Sequence, residues 1–274
     1  MPPRNDEHLE LIETALSRAL PSEKARPLQV HQAMRYAVLN GGKRFRPALV
    51  LSACEAVGGN PKKALLPACA VEMVHAYSLV HDDLPALDND DFRRGKPTCH
   101  KKFGEAVAIL TGDALLTRAF ELLSEVKPPH IANQLIRELA SAAGTQGMIG
   151  GQVVDILLTK NGSVHKLDLE DLDYISRNKT GRLIQASTVL GALVGTQSPA
   201  PIKKIRRFGA ALGLAFQVAD DIMDRDGYLR LMSLSDTRKK LESLIQRAKQ
   251  EAASFGKKGA RLLGLADFLL GSIQ

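Results

Sequence analysis

Apolar residues recur at α-helical spacing along almost the whole chain, and no stretch alternates with the period of two that a half-buried strand would show. Leu9, Ile12, Leu16 and Ala19 follow one helical face, and Val30, Ala33, Met34, Ala37 and Val38 follow another. Further helical runs cover residues 47–57, 61–84, 105–126, 131–158, 169–176, 181–194, 202–224, 235–254 and 257–270. The breaks between them carry strong punctuators: Asn40-Gly41-Gly42, Gly58-Gly59-Asn60-Pro61, Lys127-Pro128-Pro129 and Ser198-Pro199-Ala200-Pro201. About ten helices joined by short turns predict an all-α bundle with a cavity or core at its centre. With 45% hydrophobic residues among 274, the chain can bury a full core. No linker-like segment divides it, so one domain over residues 1–274 is expected.

Two acidic segments stand on these helices. The first holds Asp82, Asp83 and Asp88 within His81-Asp82-Asp83-Leu84-Pro85-Ala86-Leu87-Asp88, and the second holds Asp220, Asp221 and Asp224. Crowded carboxylates repel one another unless a hard cation sits between them, and a pair of such clusters suggests more than one divalent ion. Mg²⁺ is the natural candidate, because it takes few protein oxygens and completes its octahedron with water and substrate phosphate. His75, Leu79 and Asp82 stand at i, i+4 and i+7, so His75 shares a face with Asp82, ~10 Å away along the axis. Pro85 should disturb the helix and let Asp88 swing back toward the same metal. Gln217, Asp220, Asp221 and Asp224 form a single polar edge on an otherwise apolar helix, which a plain core helix would have no reason to carry.

Cations supply the other half of the chemistry. Gly41-Gly42-Lys43-Arg44-Phe45-Arg46-Pro47 sets three cations beside a flexible Gly pair, ahead of a helix that Pro47 can open. Arg93-Arg94-Gly95-Lys96-Pro97 comes after the first acidic segment, and Lys179-Thr180-Gly181-Arg182 reads as the opening of another helix. Lysine, bidentate arginine and backbone N–H groups together can hold a diphosphate. Other partners are disfavoured. The net charge of +7 is spread widely and there is no tryptophan, which leaves little footprint for nucleic acid. The first residues lack the apolar core of a signal peptide, and no uncharged stretch of membrane-spanning length is evident. Cys54, Cys69 and Cys99 have neither zinc-like nor CxxC spacing, which fits a reducing cytoplasm.

The residues from Gly41 to Pro47, from Glu72 to Pro85 and from Asp88 to Thr98, then Gly150-Gly151-Gln152-Val153-Val154-Asp155, Lys179-Thr180-Gly181 and Phe216-Gln217-Val218-Ala219-Asp220-Asp221-Ile222-Met223-Asp224, resemble the trans-prenyltransferase family of polyprenyl diphosphate synthases. The likeness is closest to bacterial farnesyl and geranyl diphosphate synthases. It implies an isoprenoid-synthase-type bundle around a central apolar cavity, and condensation of an allylic diphosphate (dimethylallyl or geranyl) with isopentenyl diphosphate. On this resemblance Asp82, Asp88 and Asp220 ligate Mg²⁺, about three ions per site. Asp83, Asp221, Asp224 and Lys179 assist as further catalytic groups. Arg93, Lys179, Thr180 and Gln217 hold the allylic diphosphate, and Lys43, Arg46, His75 and Arg94 hold isopentenyl diphosphate. Tyr77 and Ser78 would limit product length. Tyr77 lies only ~7.5 Å from Asp82 along the helix, so its ring would stop the tail early and favour farnesyl diphosphate. A homodimer is implied too, in keeping with the apolar run 106–123, whose only charges are Asp113, Arg118 and Glu121.

The resemblance fails between Asp224 and Met232. There the family carries a Lys- and Gly-rich lid loop, and about 15 to 20 residues of it are lacking, a length typical of functional loops. They are either present in a mobile lid outside this sequence or deleted, and a deletion would put catalysis in doubt. Competing readings are a geranyl or geranylgeranyl diphosphate synthase, a non-catalytic subunit of the same fold, a terpene cyclase, and a helical His/Asp phosphohydrolase. The cyclase would not need the second basic pocket, and the phosphohydrolase would need clustered histidines that this chain lacks.

Overall fold

The computed structural model describes residues 7–159 and 167–271; the N-terminal stretch before Glu7, read above as lacking a signal peptide, lies outside them. The described chain is all-α apart from one two-stranded ribbon. In order come α1 (Glu7–Ala19), α2 (Leu28–Leu39), α3 (Phe45–Ala56), a 3₁₀ turn (Pro61–Ala64), α4 (Leu65–Asp82), β1 (Phe92–Arg93), β2 (Lys96–Pro97), α5 (Cys99–Phe103), α6 (Glu105–Ser124), α7 (Pro129–Ala143), α8 (Met148–Thr159), α9 (Leu169–Ile175), a π-helical segment (Ser176–Gly181), α10 (Arg182–Gly195), α11 (Pro199–Asp224), a 3₁₀ turn (Gly227–Arg230), α12 (Leu234–Ala253), a 3₁₀ turn (Gly256–Gly259) and α13 (Ala260–Gly271).

These elements gather into two compact units. The first comprises the described residues up to Ala48 together with Leu65–Ile136; the second comprises Leu49–Ala64 and the described residues from Arg137 on. In the first unit α4 is the central helix. Its residues Val71, Met73, Val74, Ala76 and Val80 are buried, and α1, α2 and α6 pack against it. The segment Pro61–Asp82 is long and apolar enough to cross a membrane, which the sequence reading did not anticipate, but 67% of its apolar window is buried. A helix that is apolar all round is what the centre of a packed bundle requires. On α1 the inward face is His8, Ile12, Leu16 and Ala19, so His8 takes the place expected of Leu9.

In the second unit α11 is the axis, packed by α10 and the π segment on one side and by α12 elsewhere. Pro199 opens it, with φ already suited to a first helical turn. Its face of Phe208, Leu212, Ala215 and Val218 is buried, as are Leu183, Val189 and Leu190 of α10 and Leu241, Ile245 and Ala248 of α12. A Cβ on Gly213 would lie 2.8 Å from the Cα of Gly181, so this glycine lets α11 touch the π segment directly.

The structure departs from the periodicity in several places, the short helix α5 among them. The run 131–158 is broken between α7 and α8, where Gly144 and Gly147 turn the chain and the Gly147 N–H donates to the Gly144 carbonyl at 3.0 Å. A hairpin, unexpected from the pattern, forms at Phe92–Pro97, with Arg94 (φ 55°) and Gly95 (φ 73°) as its two corner residues. Positive φ at both corners is the twist that suits a two-residue hairpin. Finally, Lys179-Thr180-Gly181 does not open a helix. It lies in the π-helical segment that joins α9 to α10 without interruption, so no free helix N-terminus exists there.

Candidate active site

In the first unit, α4 ends at Asp82 and the chain turns back at once. The Asp88 N–H donates to the Asp82 carbonyl at 2.8 Å, which brings the first and last acids of the segment to adjacent backbone positions, as the Pro85 argument anticipated. Asp82 is half-buried and Asp88 exposed. Asp83 behaves differently. It is buried and accepts from Arg93 Nε at 2.7 Å, while burial raises its carboxyl above the usual range against the pull of that guanidinium. Arg93 also reaches Asp90 at 3.4 Å, so it joins two turns of the acidic loop.

The cationic residues near α4 divide in two. Arg44 turns inward, buried, with Nε on Glu13 at 2.7 Å and Nη1 on Glu72 at 2.8 Å; it is a structural cation. Lys43 stays exposed and Arg46 is half-buried. Arg94, at the hairpin corner, donates to the Gly41 carbonyl, and Lys96 of β2 reaches Asn40 Oδ1, so the hairpin is tied to the Gly-Gly loop. A Cβ on Gly42 would stand 2.5 Å from Arg94 Nη1, and Gly42 itself has φ +125°. A side chain there would be strained by that φ and would displace the Arg94 head group. Burial and the Arg46, Arg94 and Arg93 guanidiniums push the His75 imidazole well below its ordinary pKa, so it is neutral near pH 7. His75, Arg46, Arg94 and Arg93 therefore share one electrostatic neighbourhood, which mixes residues that the resemblance assigns to the two different diphosphates. Ser78 Oγ donates to the His75 carbonyl at 2.9 Å and so folds back on its own helix. Tyr77 is buried, its ring set edge-on to His81 at 5.8 Å, and its hydroxyl has no hydrogen-bond partner among the described residues. Burial first, then Asp82, pushes its pKa up to about 12.

In the second unit Asp220 is half-buried and Asp224 exposed at the end of α11, whereas Asp221 is buried. Asp221 accepts from Gln217 Nε2 at 2.8 Å and from the Tyr228 N–H at 3.0 Å, yet burial still raises its pKa. Gln217 in turn receives the Thr180 hydroxyl at 2.8 Å. Lys179 Nζ bonds Asp155 Oδ2 at 2.6 Å, which links the π segment to α8. The role of Asp155 is one the sequence reading left unassigned, although the residue closed its Gly150–Asp155 motif. Beyond Asp224 the chain runs without interruption into the 3₁₀ turn and α12, and the Asp226 N–H returns to the Asp221 carbonyl at 3.0 Å. The short connection from Asp224 to Leu234 is thus a built turn.

Among the described residues no three His, Cys, Asp or Glu side chains converge closely enough to hold a metal unaided. The hard carboxylate donors still fit Mg²⁺, which takes one or two carboxylates and fills its octahedron from water and substrate phosphate.

The chain matches the family model described as polyprenyl synthetase over residues 27–230. It is 45% identical to the heterodimeric geranylgeranyl pyrophosphate synthase large subunit 1, chloroplastic, of Arabidopsis thaliana, across 95% of this chain and 76% of that protein. It is 42% identical to the farnesyl diphosphate synthase of Geobacillus stearothermophilus, across 96% of this chain and 95% of that protein. That second alignment extends over 287 positions, more than the 274 residues present here. Among solved structures, an FPP/GFPP synthase from Zymomonas mobilis superposes with a TM-score of 0.89 at 38% identity, covering 94% of each chain.

Proposed function

Because the chain belongs to the polyprenyl synthetase family, as a short-chain prenyl diphosphate synthase, we propose that it joins an allylic diphosphate to isopentenyl diphosphate with farnesyl diphosphate as the main product. The observation that carries this reading is the juxtaposition of acids and cations at the end of α4 in the first unit. The backbones of Asp82 and Asp88 come together at the end of α4, and Arg93 links that acidic turn to the cations around His75. We take residues 1–274 to act as one functional domain.

Bound Mg²⁺, held by Asp82, Asp88 and Asp220, would supply the charge neutralisation that lets the allylic diphosphate depart. Arg93, Lys179, Thr180 and Gln217 would hold that diphosphate, and Asp83, Asp221 and Asp224 would keep these groups in register. Lys43, Arg46 and Arg94 would bind isopentenyl diphosphate, with neutral His75 as a hydrogen-bonding neighbour. The allylic C–O bond would break to leave a carbocation, the double bond of isopentenyl diphosphate would attack that cation, and a proton would then leave to the released diphosphate. No protein nucleophile is consumed. Apolar walls exclude water that would quench the cation. A soluble enzyme of a reducing compartment agrees with three buried free thiols.

Two observations favour other members of the class. Plant relatives are named geranylgeranyl pyrophosphate synthases, which would mean a longer product, whereas the buried ring of Tyr77 near Asp82 speaks for a shorter one. The short turn after Asp224 speaks for a non-catalytic subunit of the same fold. Incubation with Mg²⁺, isopentenyl diphosphate and either dimethylallyl or geranyl diphosphate, then chromatography of the products, decides among the three. Farnesyl diphosphate supports the proposal, geranylgeranyl diphosphate replaces its product, and absence of any condensation leaves the subunit reading.

A further inference from the structure

The nine-residue turn after the second acidic segment, residues 225–233, is held from two directions through one side chain. Tyr228 is fully buried; its backbone N–H donates to Asp221 Oδ2 at 3.0 Å and its hydroxyl donates to Asp173 Oδ1. Asp173 is itself fixed by Lys240 at 2.7 Å and by Arg177 at 3.0 Å, and the Lys240 ammonium lies 4.4 Å from the centre of the Tyr228 ring. From Asp221 the chain of bonds goes on to Gln217 and then to Thr180, at 2.8 Å in each step. Gly227 has φ +53°, and a Cβ there would stand 2.0 Å from Asp221 Oδ2, so the backbone lies as near to this carboxylate as sterics allow.

We infer that Tyr228 is a positioning residue: anchored on Asp173, it sets the Asp221 carboxylate and, through Gln217, the Thr180 hydroxyl that faces the allylic diphosphate. The inference rests on the reading of Thr180 and Gln217 given under Proposed function. Its physical content is separate. Asp221 is buried, and its two oxygens already accept from Gln217 and Tyr228, so it serves as the joint between the turn and the π segment. A buried carboxyl with both oxygens bonded holds its donors in place, because a donor that moved would leave a buried acceptor unsatisfied. A ligand-holding hydroxyl displaced by a fraction of an ångström loses binding to the substrate it touches while leaving the other substrate alone.

Tyr228→Phe removes the hydroxyl and keeps the ring. Amide hydrogen exchange read by mass spectrometry on the purified full chain gives a readout independent of activity. Tyr228→Phe should speed exchange in the peptide spanning 176–185 as well as in that spanning 221–230. In condensation assays, Tyr228→Phe should raise KM for the allylic diphosphate by about tenfold and leave KM for isopentenyl diphosphate within about twofold. Faster exchange confined to 221–230, or equal rises in both KM values, would overturn the inference. If the wild-type chain condenses nothing, the functional reading falls while the exchange data still decide whether Tyr228 sets Thr180.

Discussion

Arg44 and Tyr77 carry opposite lessons about single residues. Arg44 sits between Lys43 and Arg46 in a cationic run, yet its guanidinium is buried on Glu13 and Glu72. Arg44→Ala would leave the buried Glu72 carboxylate uncompensated, an outcome that typically costs about 3–5 kcal/mol. Urea denaturation of the variant is the check. A loss below about 1 kcal/mol would mean that Glu72 takes up a proton or finds water cheaply. Tyr77 is buried differently, since its hydroxyl has no hydrogen-bond partner among the described residues. An unsatisfied buried hydroxyl is costly and is retained where the ring itself is needed. Replacing Tyr77 by Ala should open space beside Asp82 and shift products from farnesyl toward geranylgeranyl diphosphate or longer. Chromatography showing an unchanged distribution would remove Tyr77 from control of length.

At the level of elements, the loop before α3 and the β1–β2 hairpin act as one piece. Arg94 and Lys96 both reach across to it, onto Gly41 and Asn40, and Tyr36 of α2 donates to the Pro97 carbonyl at 2.8 Å. Arg94 carries positive φ, a strained choice for a long side chain, and holds it because the tight turn and the bond to Gly41 both require that geometry. Gly42→Val should expel the Arg94 guanidinium and raise KM for isopentenyl diphosphate by about tenfold, with kcat nearly unchanged. Equal loss for both substrates would argue that the loop serves stability alone. The π segment is the corresponding device in the second unit. An extra residue in one helical turn rotates the residues after it, and segments of this kind are frequent at functional sites. It brings Lys179 onto Asp155 and Thr180 onto Gln217 at the same turn.

At the scale of the whole molecule, α6 has apolar surface to spare. Ile109 and Leu110 are 45% and 59% exposed within the otherwise apolar run 106–123. Exposed apolar residues grouped on one helix are the kind of surface a second copy would cover. Light scattering should give twice the monomer mass of 29.7 kDa, and Leu110→Lys should lower it toward one chain. A mass of one chain across a concentration series would refute a homodimer.

The sequence by itself determined whatever depends on near neighbours along the chain. Helical periodicity marked almost every long helix, and the spacing of Asp82, Pro85 and Asp88 was enough to foresee the return of the loop, because both arise from local backbone geometry. The motifs also sufficed for the family. Partner choice was beyond its reach. That Asp83 meets Arg93, that Lys179 meets Asp155 rather than standing free, that Arg44 turns inward, and that Tyr228 joins Asp173 to Asp221 all depend on which carboxylate the packing brings within 3 Å. The chain has 30 acidic and 37 basic side chains, and local pattern does not rank those pairings. The hairpin and the π segment were hidden for the same reason: each is a short, locally costly backbone conformation, held in place by contacts that only the folded chain supplies.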